Sequence, residues 1–466
     1  MKLKQIVTKP HMFMVVGLLV PGLGTADSKP TGPIGGKPSS LYRTAFNSLF
    51  LMFVLFLMGC GHGVTLMPTP EVLRDEKFDI FAHNPNLEKS NKISVFYATN
   101  RIPAQGPSGP DYTKSFDHAL RFGEATLQIG SDEVTWEEIH AESTTAERKD
   151  EFEISLIRTM EVGRLNNSES LEQIPEDTQN FLDKLNNAIA ESPFKTLTIY
   201  VHGANSSFYR AAAQGGQYHY FTGSRAIVLV FSWPSAENIL KYTTDVKNTK
   251  ETAPDFIRLL KLLEKHCNAK RINIIAYSAG GRLTGDALGR MGREYMDTGA
   301  EPVREPYRFG ELYFTSSDED LYEFVDNVPS YIHMFEGVTL TIDKKDPVLG
   351  FAKITDGELR AGRPPQDAAN FDLTDAQNEG LTQTINSGRF TIINLEINKI
   401  PGFEFSHGAW YENPWVSTDV ITTLNLGFQP ERRGLAKYKG YLDRGVWYFP
   451  PDYLEKLKSS LLDRKK

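Results

Sequence analysis

In the middle of the chain, apolar runs alternate with helix-like segments, and this pattern limits the possible folds more than any other in the sequence. Three runs rich in β-branched and aromatic residues, TLTIYV, AIVLVFSW and RINIIAY, are separated by segments with helical periodicity. Such alternation is typical of a parallel sheet whose strands are joined by helices. Because the runs are almost continuously apolar, we expect helices on both faces of the sheet. The sequence therefore predicts an α/β fold with a mostly parallel central sheet.

Composition narrows the class of protein. Of the 466 residues, 40% are hydrophobic and 24% are charged, which suits a globular protein. The formal net charge of −8 argues against nucleic acid as the main partner, because phosphate binding requires a basic surface. The two cysteines, Cys60 and Cys267, are too few for a disulfide framework or a metal cluster of cysteine type.

The first 60 residues are predicted to be an export leader. An apolar run, FNSLFLMFVLFLMGC, follows Arg43 and ends at Cys60, which is the layout of a secretory signal. Its last residues, LMGC, resemble a lipoprotein cleavage box, in which the cysteine becomes the lipidated first residue. The run is shorter than the ~20 residues that a spanning helix needs, although an uncleaved signal anchor is the alternative. We expect an exported, membrane-anchored lipoprotein facing the periplasm or the cell exterior, with Cys60 as its lipidation site.

The sequence also suggests where the folded part begins and ends. A second apolar stretch, MFMVVGLLVPGLG, lies upstream of the leader, and two successive export signals are unusual. Our hypothesis is that translation begins near Leu41. Residues 61–90 are predicted to be a linker, residues 91–450 the α/β domain, and residues 451–466 a basic C-terminal tail.

The run RINIIAY stops at a serine. Ser278 lies between a predicted strand and a predicted helix, with Ala276 and Gly280 two residues to either side. This is a small-x-Ser-x-small form of the G-x-S-x-G nucleophile elbow, a tight turn that presents the serine hydroxyl at the carboxyl edge of the sheet. Small residues are required because larger side chains would collide with the neighbouring strand and helix. Ser278 is predicted to be a nucleophile; the alternative is a serine that caps the helix.

A nucleophilic serine needs a base and a group that orients the base. After an elbow of this type the partners follow in the order acid, then histidine. Two histidines follow Ser278 in the sequence, His333 and His407. His333 precedes a predicted strand, whereas His407 follows the last strand of the series. We therefore predict His407 as the base; a histidine held by local hydrogen bonds is the alternative.

The acid is expected in a loop after one of the later strands. VTLTIDKKDPVLG places Asp343 at the end of a strand and Asp346 in the following loop, just before a proline. Asp346 is the favoured acid, because it can bend towards a histidine. Asp318, which follows the preceding strand, is the alternative acid. Each of these aspartates can instead be an ordinary helix N-cap.

The oxyanion of a tetrahedral intermediate needs two backbone N–H donors. One is expected from Ala279, directly after the nucleophile. The other is expected from the loop in YVHGANSSF, where Gly203 allows close approach of the backbone and either Ala204 or Asn205 supplies the donor. His202, in the same loop, is predicted to be structural.

Several segments together resemble a known family. They are MPTPEVL, VFYATNR, LTIYVHGANSSFYRAA, IVLVFSWPS, INIIAYSAGGR and LTIDKKDPVL. The combination resembles the bacterial alpha/beta-hydrolase family catalogued as domain of unknown function 900, described as esterase or lipase superfamily enzymes, over most of residues 64–450. The resemblance implies an alpha/beta-hydrolase fold and a serine hydrolase, and it supplies no substrate. Relatives usually carry histidine and methionine where this chain has Tyr277 and Ala279, which points to a different pocket shape or specificity.

The expected reaction is cleavage of a small-molecule or lipid carboxylic ester through an acyl-enzyme. Ser278, His407 and Asp346 would perform it without a metal or an organic cofactor. Two alternatives remain open at this point. One is a catalytically inactive surface lipoprotein that binds a partner, and the other is an acyltransferase or thioesterase that uses the same residues. The oligomeric state is left open.

Overall fold

A computed structural model of the chain describes residues 63–106, 108–298, 308–365, 372–396, 400–401, 407–438 and 446–463. The predicted leader, its lipidation site Cys60 and the suggested start near Leu41 lie outside these residues. Within the described ranges, no helix is long and apolar enough to cross a membrane.

The described strands form a single mixed sheet. In chain order they are β1 (Val64–Thr65), β2 (Lys92–Gly106), β3 (Gly109–Ile129), β4 (Glu153–Asn166), β5 (Thr196–Val201), β6 (Ile227–Ser232), β7 (Arg271–Tyr277), β8 (Phe309–Thr315), β9 (Gly337–Ile342), β10 (Phe390–Asn394), β11 (Ala436–Lys437) and β12 (Val446–Tyr448). Their order across the sheet is β1-β4-β3-β2-β6-β5-β7-β8-β9-β10-β12-β11. Neighbours from β2 to β12 are parallel, and β1, β3, β4 and β11 pair antiparallel at the two sides. The predicted mostly parallel central sheet is confirmed.

Helices join the parallel strands and cover the sheet. They are α1 (Trp136–Ser143), α2 (Glu176–Glu191), α3 (Phe208–Phe221), α4 (Tyr242–His266), α5 (Ala279–Asp297), α6 (Leu321–Tyr331), α7 (Pro347–Asp356), α8 (Asp375–Asn386), α9 (Ala409–Glu412), α10 (Pro414–Leu426) and α11 (Tyr453–Asp463). Side chains alternate across each strand. Ile199 and Val201 belong to a core that also contains residues of α2, α4, α5 and α6, whereas Tyr200 belongs to a core that contains residues of α3, α10 and α11. Two apolar cores therefore lie on opposite faces of the sheet, as predicted.

The strand order creates a crevice at the carboxyl edge of the sheet. The chain passes from β5 to β6 on one side and then returns to β7 on the other side of β5. The loops after β5 and β7 consequently leave the sheet side by side and continue in opposite directions. Open α/β sheets bind their ligands at such a switch point.

The prediction of a linker over residues 61–90 is wrong for its described part. Strand β1 pairs with β4, and a 3₁₀ turn follows at Glu71–Arg74. Leu66, Met67 and Phe81 are almost completely buried in the core on the α3 side of the sheet. The segment has neither a helical nor a strand period in its sequence. Contacts with the rest of the domain hold it in place, and a local sequence pattern does not reveal them.

The prediction of a basic tail over residues 451–466 is also wrong for the described part. Helix α11 covers most of this segment, and its residues Tyr453 and Leu457 are buried in the same core. The Tyr453 ring stacks on Trp415 of α10, with centroids 5.1 Å apart. A narrow apolar stripe therefore attaches the helix to the domain, although most of its other side chains are charged or polar.

Candidate active site

Ser278 lies at a strained turn between β7 and α5. Its backbone has φ 52° and ψ −120°, a combination that side-chain-bearing residues rarely adopt. Backbone hydrogen bonds hold the turn: the Ser278 N–H donates to the Thr315 carbonyl at 3.1 Å, and the Ser278 carbonyl accepts from the N–H groups of Asp318 at 3.1 Å and Gly281 at 2.8 Å. The predicted strand, serine and helix arrangement is therefore present, with the serine in the conformation of a nucleophile elbow.

The small residues around Ser278 are sterically required. A Cβ added at Gly280 would lie 2.4 Å from the carbonyl oxygen of Val201 and 2.6 Å from that of His202. A Cβ at Gly203 would lie 2.9 Å from the Ser278 Cβ. The loop after β5 and the start of α5 can therefore pack directly against the turn only where side chains are absent.

The structure brings Ser278, His407 and Asp346 into one hydrogen-bonded chain. His407 Nε2 lies 3.0 Å from Ser278 Oγ, and His407 Nδ1 lies 2.9 Å from Asp346 Oδ2. With a proton on Nδ1, the imidazole donates to the carboxylate and its Nε2 accepts from the serine hydroxyl. The three side chains are almost completely buried, which strengthens these contacts.

Asp346 has two roles that the sequence presented as alternatives. Its Oδ1 accepts from the N–H groups of Val348 and Leu349 at 2.9 and 3.0 Å, so it caps α7. Its Oδ2 faces His407. The capping hydrogen bonds fix the carboxylate orientation, and one oxygen remains available to the imidazole.

The charge state of His407 depends on its neighbours. Burial disfavours the charged imidazolium, but the Asp346 carboxylate outweighs burial through charge attraction and a hydrogen bond, with further contributions from Asp318 and Glu412. The net effect raises the pKa of His407 above its ordinary value of 6.5. His407 is therefore a stronger base than a free histidine.

The alternative acid, Asp318, does not bond to His407. Its Oδ1 accepts from Arg360 Nε and its Oδ2 from the Tyr242 hydroxyl, each at 2.7 Å. Both side chains of the Asp318–Arg360 ion pair are almost completely buried. The Asp318 backbone N–H donates to the Ser278 carbonyl, and its side chain points to Arg360 and Tyr242 instead of to the imidazole.

The backbone donors predicted for an oxyanion differ in their availability. Ala279 is the first residue of α5, where an N–H has no acceptor within the helix. In the described part of the chain the Ala204 N–H has no hydrogen-bond partner. The Asn205 N–H instead donates to Asp245 at 3.0 Å. The prediction of Asn205 as the donor is therefore wrong, because Asp245 occupies its N–H.

His202 is held as part of the scaffold. Its Nε2 accepts from the Trp233 N–H at 3.1 Å, its Nδ1–H donates to the Gly203 carbonyl at 2.7 Å, and its ring stacks on Trp233. Burial, with a contribution from Arg101, lowers the pKa of His202 to about 3. The residue is consequently neutral at physiological pH and links the loops after β5 and β6.

Aromatic side chains surround the imidazole, and no motif in the sequence predicted them. The Tyr277 ring lies 5.5 Å from His407 and 5.7 Å from Tyr411, measured between centroids. The hydroxyls of the two tyrosines are 3.4 Å apart. Tyr277 therefore packs beside the base.

No group of three or more histidine, cysteine, aspartate or glutamate side chains suited to a metal ion occurs among the described residues. Cys267 is a buried free cysteine.

The fold and the hydrogen-bonded serine, histidine and aspartate define the class of protein as an alpha/beta hydrolase. Residues 177–423, more than half of the chain, match the model of the family described as alpha/beta hydrolase of unknown function (DUF900). The chain belongs to this family, as its motifs suggested. No curated protein matches the chain.

Proposed function

We propose that the protein is a serine hydrolase that cleaves carboxylic esters through an acyl-enzyme intermediate. The observation that carries the proposal is the hydrogen-bonded chain from Ser278 Oγ through His407 to Asp346, with distances of 3.0 and 2.9 Å. These distances are those expected of a nucleophile, its base and the group that orients the base. The family supports hydrolysis as the type of reaction.

Acylation follows from this geometry. His407 Nε2 takes the proton of Ser278 Oγ as the oxygen attacks the carbonyl carbon of the ester. The negative charge that develops on the carbonyl oxygen is stabilised by the N–H groups of Ala279 and Ala204. The imidazolium, held by Asp346, then donates its proton to the leaving alcohol as the C–O bond breaks. The products of this step are the free alcohol and an ester of Ser278.

Deacylation repeats the sequence with water. His407 removes a proton from the water molecule, whose oxygen attacks the acyl carbon. The second tetrahedral intermediate collapses, Ser278 regains its proton from the imidazolium, and the carboxylic acid leaves. An alcohol in place of water would give a transferase, and a thioester in place of an ester would give a thioesterase. The residues are the same in each case.

The proposal is tested by hydrolysis of p-nitrophenyl esters of increasing acyl length, with and without an added alcohol acceptor. Release of p-nitrophenol together with the free acid supports ester hydrolysis, and the length profile measures the acyl pocket. A product in which the acyl group is joined to the added alcohol would indicate an acyltransferase. Folded protein that turns over no ester or thioester would contradict the proposal and favour a binding role.

The pH dependence of hydrolysis is expected to report the raised pKa of His407. The reaction requires the neutral imidazole, and a raised pKa means that protonation begins at a higher pH than in a free histidine. Therefore kcat/KM should fall on the acid side with an apparent pKa above 6.5. Asp346→Asn should move this acid limb to lower pH. A wild-type acid limb below 6.5 would contradict the assignment; His202, with a pKa of about 3, does not titrate in this range.

We further propose that the protein is exported and held at a membrane through a lipid on Cys60. The support is the apolar run that ends in LMGC. Metabolic labelling with an alkynyl fatty acid should mark the wild type and the Cys267→Ala variant but not Cys60→Ala. Cys267 is a suitable control because it is buried, which raises the pKa of its thiol. Equal labelling of wild type and Cys60→Ala would exclude Cys60 as the attachment site.

A further inference from the structure

The motif VFYATNR has no part in the serine, histidine and aspartate chain, yet its polar residues are completely buried. Thr99, Asn100 and Arg101 each have 0% exposure. Strand β2 pairs with β6 as far as Thr99 and Ser232, so the two residues that follow Thr99 extend past the end of β6 at the carboxyl edge of the sheet. The pairing of β2 with β3 is irregular on both sides of Arg101. Irregularities of this kind redirect side chains next to active sites.

Arg101 bridges two loops at this edge. Its Nη2 donates to the Ser206 carbonyl at 2.8 Å, within the loop after β5 (residues 202–207, the β5 loop). Its Nη1 donates to Glu237 Oε1 at 3.0 Å, within the loop after β6 (residues 233–238, the β6 loop). Burial lowers the pKa of Arg101 to about 10, with Glu237 and Asp245 acting in the opposite direction, so the guanidinium is charged at neutral pH.

Asp245, from α4, holds the same two loops from the other side. Its carboxylate accepts from the Asn205 N–H at 3.0 Å in the β5 loop, and from the Ala236 N–H and the Ser235 hydroxyl in the β6 loop. The Ser235 hydroxyl oxygen in turn accepts from the Ser206 N–H at 3.1 Å. The Asn205 N–H and both backbone groups of Ser206 are thus hydrogen-bonded. The Ala204 N–H has no hydrogen-bond partner in the described part of the chain.

We propose that Arg101 and Asp245 are positioning residues that fix the β5 loop, so that the Ala204 N–H is held ready for an oxyanion beside Ser278. The inference rests on the proposed function, because it assigns the Ala204 N–H to the tetrahedral intermediate. The close approach of Gly203 to the Ser278 Cβ places the loop next to the reacting atom. Donors of this kind contribute most when they do not have to reorganise during the reaction.

Stability alone is a weak explanation for these two charges. Burying charged groups costs free energy of desolvation, and apolar replacements of buried ion pairs are often neutral or stabilising. Arg101 also carries a buried Nε with no partner in the described part of the chain. Arg101 and Asp245, which do not pair with each other, each hydrogen-bond the β5 loop and so provide it with a fixed geometry.

The test uses Arg101→Lys and Asp245→Asn in the full-length protein, with Arg121→Lys as the matched control. Arg121 lies in the same hairpin, and its side-chain hydrogen bonds go to Asp117 and Glu161 instead of to either loop. Hydrogen–deuterium exchange of peptides covering residues 202–207 should be faster in both test variants than in the wild type or the control. The kcat for a p-nitrophenyl ester should fall by roughly a hundredfold in the test variants with KM little changed, since misplacing a donor affects mainly the transition state.

A further readout separates positioning from general loss of stability. A trifluoromethyl ketone forms a tetrahedral adduct on Ser278 and places an oxyanion at the Ala204 N–H, so its affinity should fall in parallel with kcat/KM in the two test variants. All measurements are made well below the melting temperature of each variant. Unchanged exchange in the β5 loop, or an unchanged kcat in an active protein, would overturn the inference. If the wild type hydrolyses nothing, the proposed function fails, and the exchange rates alone decide whether Arg101 and Asp245 hold the loop.

Discussion

Replacement of Ser278 by alanine is expected to lower kcat/KM for p-nitrophenyl ester hydrolysis by about a thousandfold or more. The substitution removes the atom that attacks the carbonyl and leaves His407 without the hydroxyl that it bonds at 3.0 Å. A residual rate above that in water is expected, because the backbone donors and the binding site remain. The measurement is steady-state hydrolysis by purified wild type and variant at equal concentrations of folded protein.

Ser330→Ala is the matched control for this substitution. Ser330 is also a buried serine, but it lies on α6 and its hydroxyl bonds to the carbonyls of Gly289 and Asn327. Its loss should reduce stability slightly and leave kcat/KM unchanged. A Ser278→Ala protein with wild-type activity would show that another group performs the reaction.

Asp346→Asn is expected to lower kcat by about ten-thousandfold while leaving the fold intact. An asparagine can still cap α7, because its side-chain oxygen accepts from the Val348 and Leu349 N–H groups as the carboxylate oxygen does. It cannot stabilise a charged His407, and its amide favours the wrong imidazole tautomer. The expected result is therefore a large loss of kcat with a small change in melting temperature.

Asp318→Asn is expected to lower the stability while leaving most of the activity, which is the reverse of the result expected for Asp346→Asn. The variant removes the buried Asp318 carboxylate from Arg360, which keeps its ion pairs with the more exposed Asp356 and Glu358. An uncompensated buried charge costs about 3–5 kcal/mol, but Arg360 keeps two partners, so a stability loss of about 1–3 kcal/mol is expected. Since Asp318 does not bond to His407, kcat per folded molecule should stay within about tenfold of the wild type, a range set by its more distant electrostatic effect. If Asp318→Asn abolished activity in folded protein and Asp346→Asn did not, the choice of acid would be reversed.

Ser278, Asp346 and His407 could be predicted because each one has a local signature after a strand. Ser278 follows an apolar run and is flanked by small residues, Asp346 precedes a proline at a helix start, and His407 follows the last strand of the series. Strand order then brings the three loops together, since parallel strands end at the same edge. The strand and turn patterns that predict the fold therefore also predict the three residues of the site.

The second oxyanion donor could not be predicted from the loop alone. Asn205 and Ala204 are adjacent, and their difference arises from Asp245, which lies 40 residues further along the chain and accepts from Asn205. A hydrogen bond between positions so far apart leaves no periodic trace in the sequence. The same holds for Arg101, whose contacts reach the β5 loop from another hairpin.

The domain boundaries were misplaced for a related reason. The apolar side chains of residues 63–90 and of α11 are buried against the α3 face of the sheet, and neither segment's own sequence pattern indicates this contact. By contrast, α8 lies between β9 and β10 in the chain. Helix α8 packs against α6, and its Leu381 is buried in the core. The helix therefore forms part of the connection between β9 and β10.

Whether Ser278 is the nucleophile can be decided by labelling the wild-type protein with a fluorophosphonate, followed by peptide mass spectrometry. A fluorophosphonate reacts preferentially with a serine whose hydroxyl is activated by a base. We therefore expect a single adduct on Ser278, and its formation should slow steeply in the Asp346→Asn variant. Folded wild-type protein that hydrolyses esters but stays unlabelled at Ser278, or carries the adduct on another residue, would contradict this assignment.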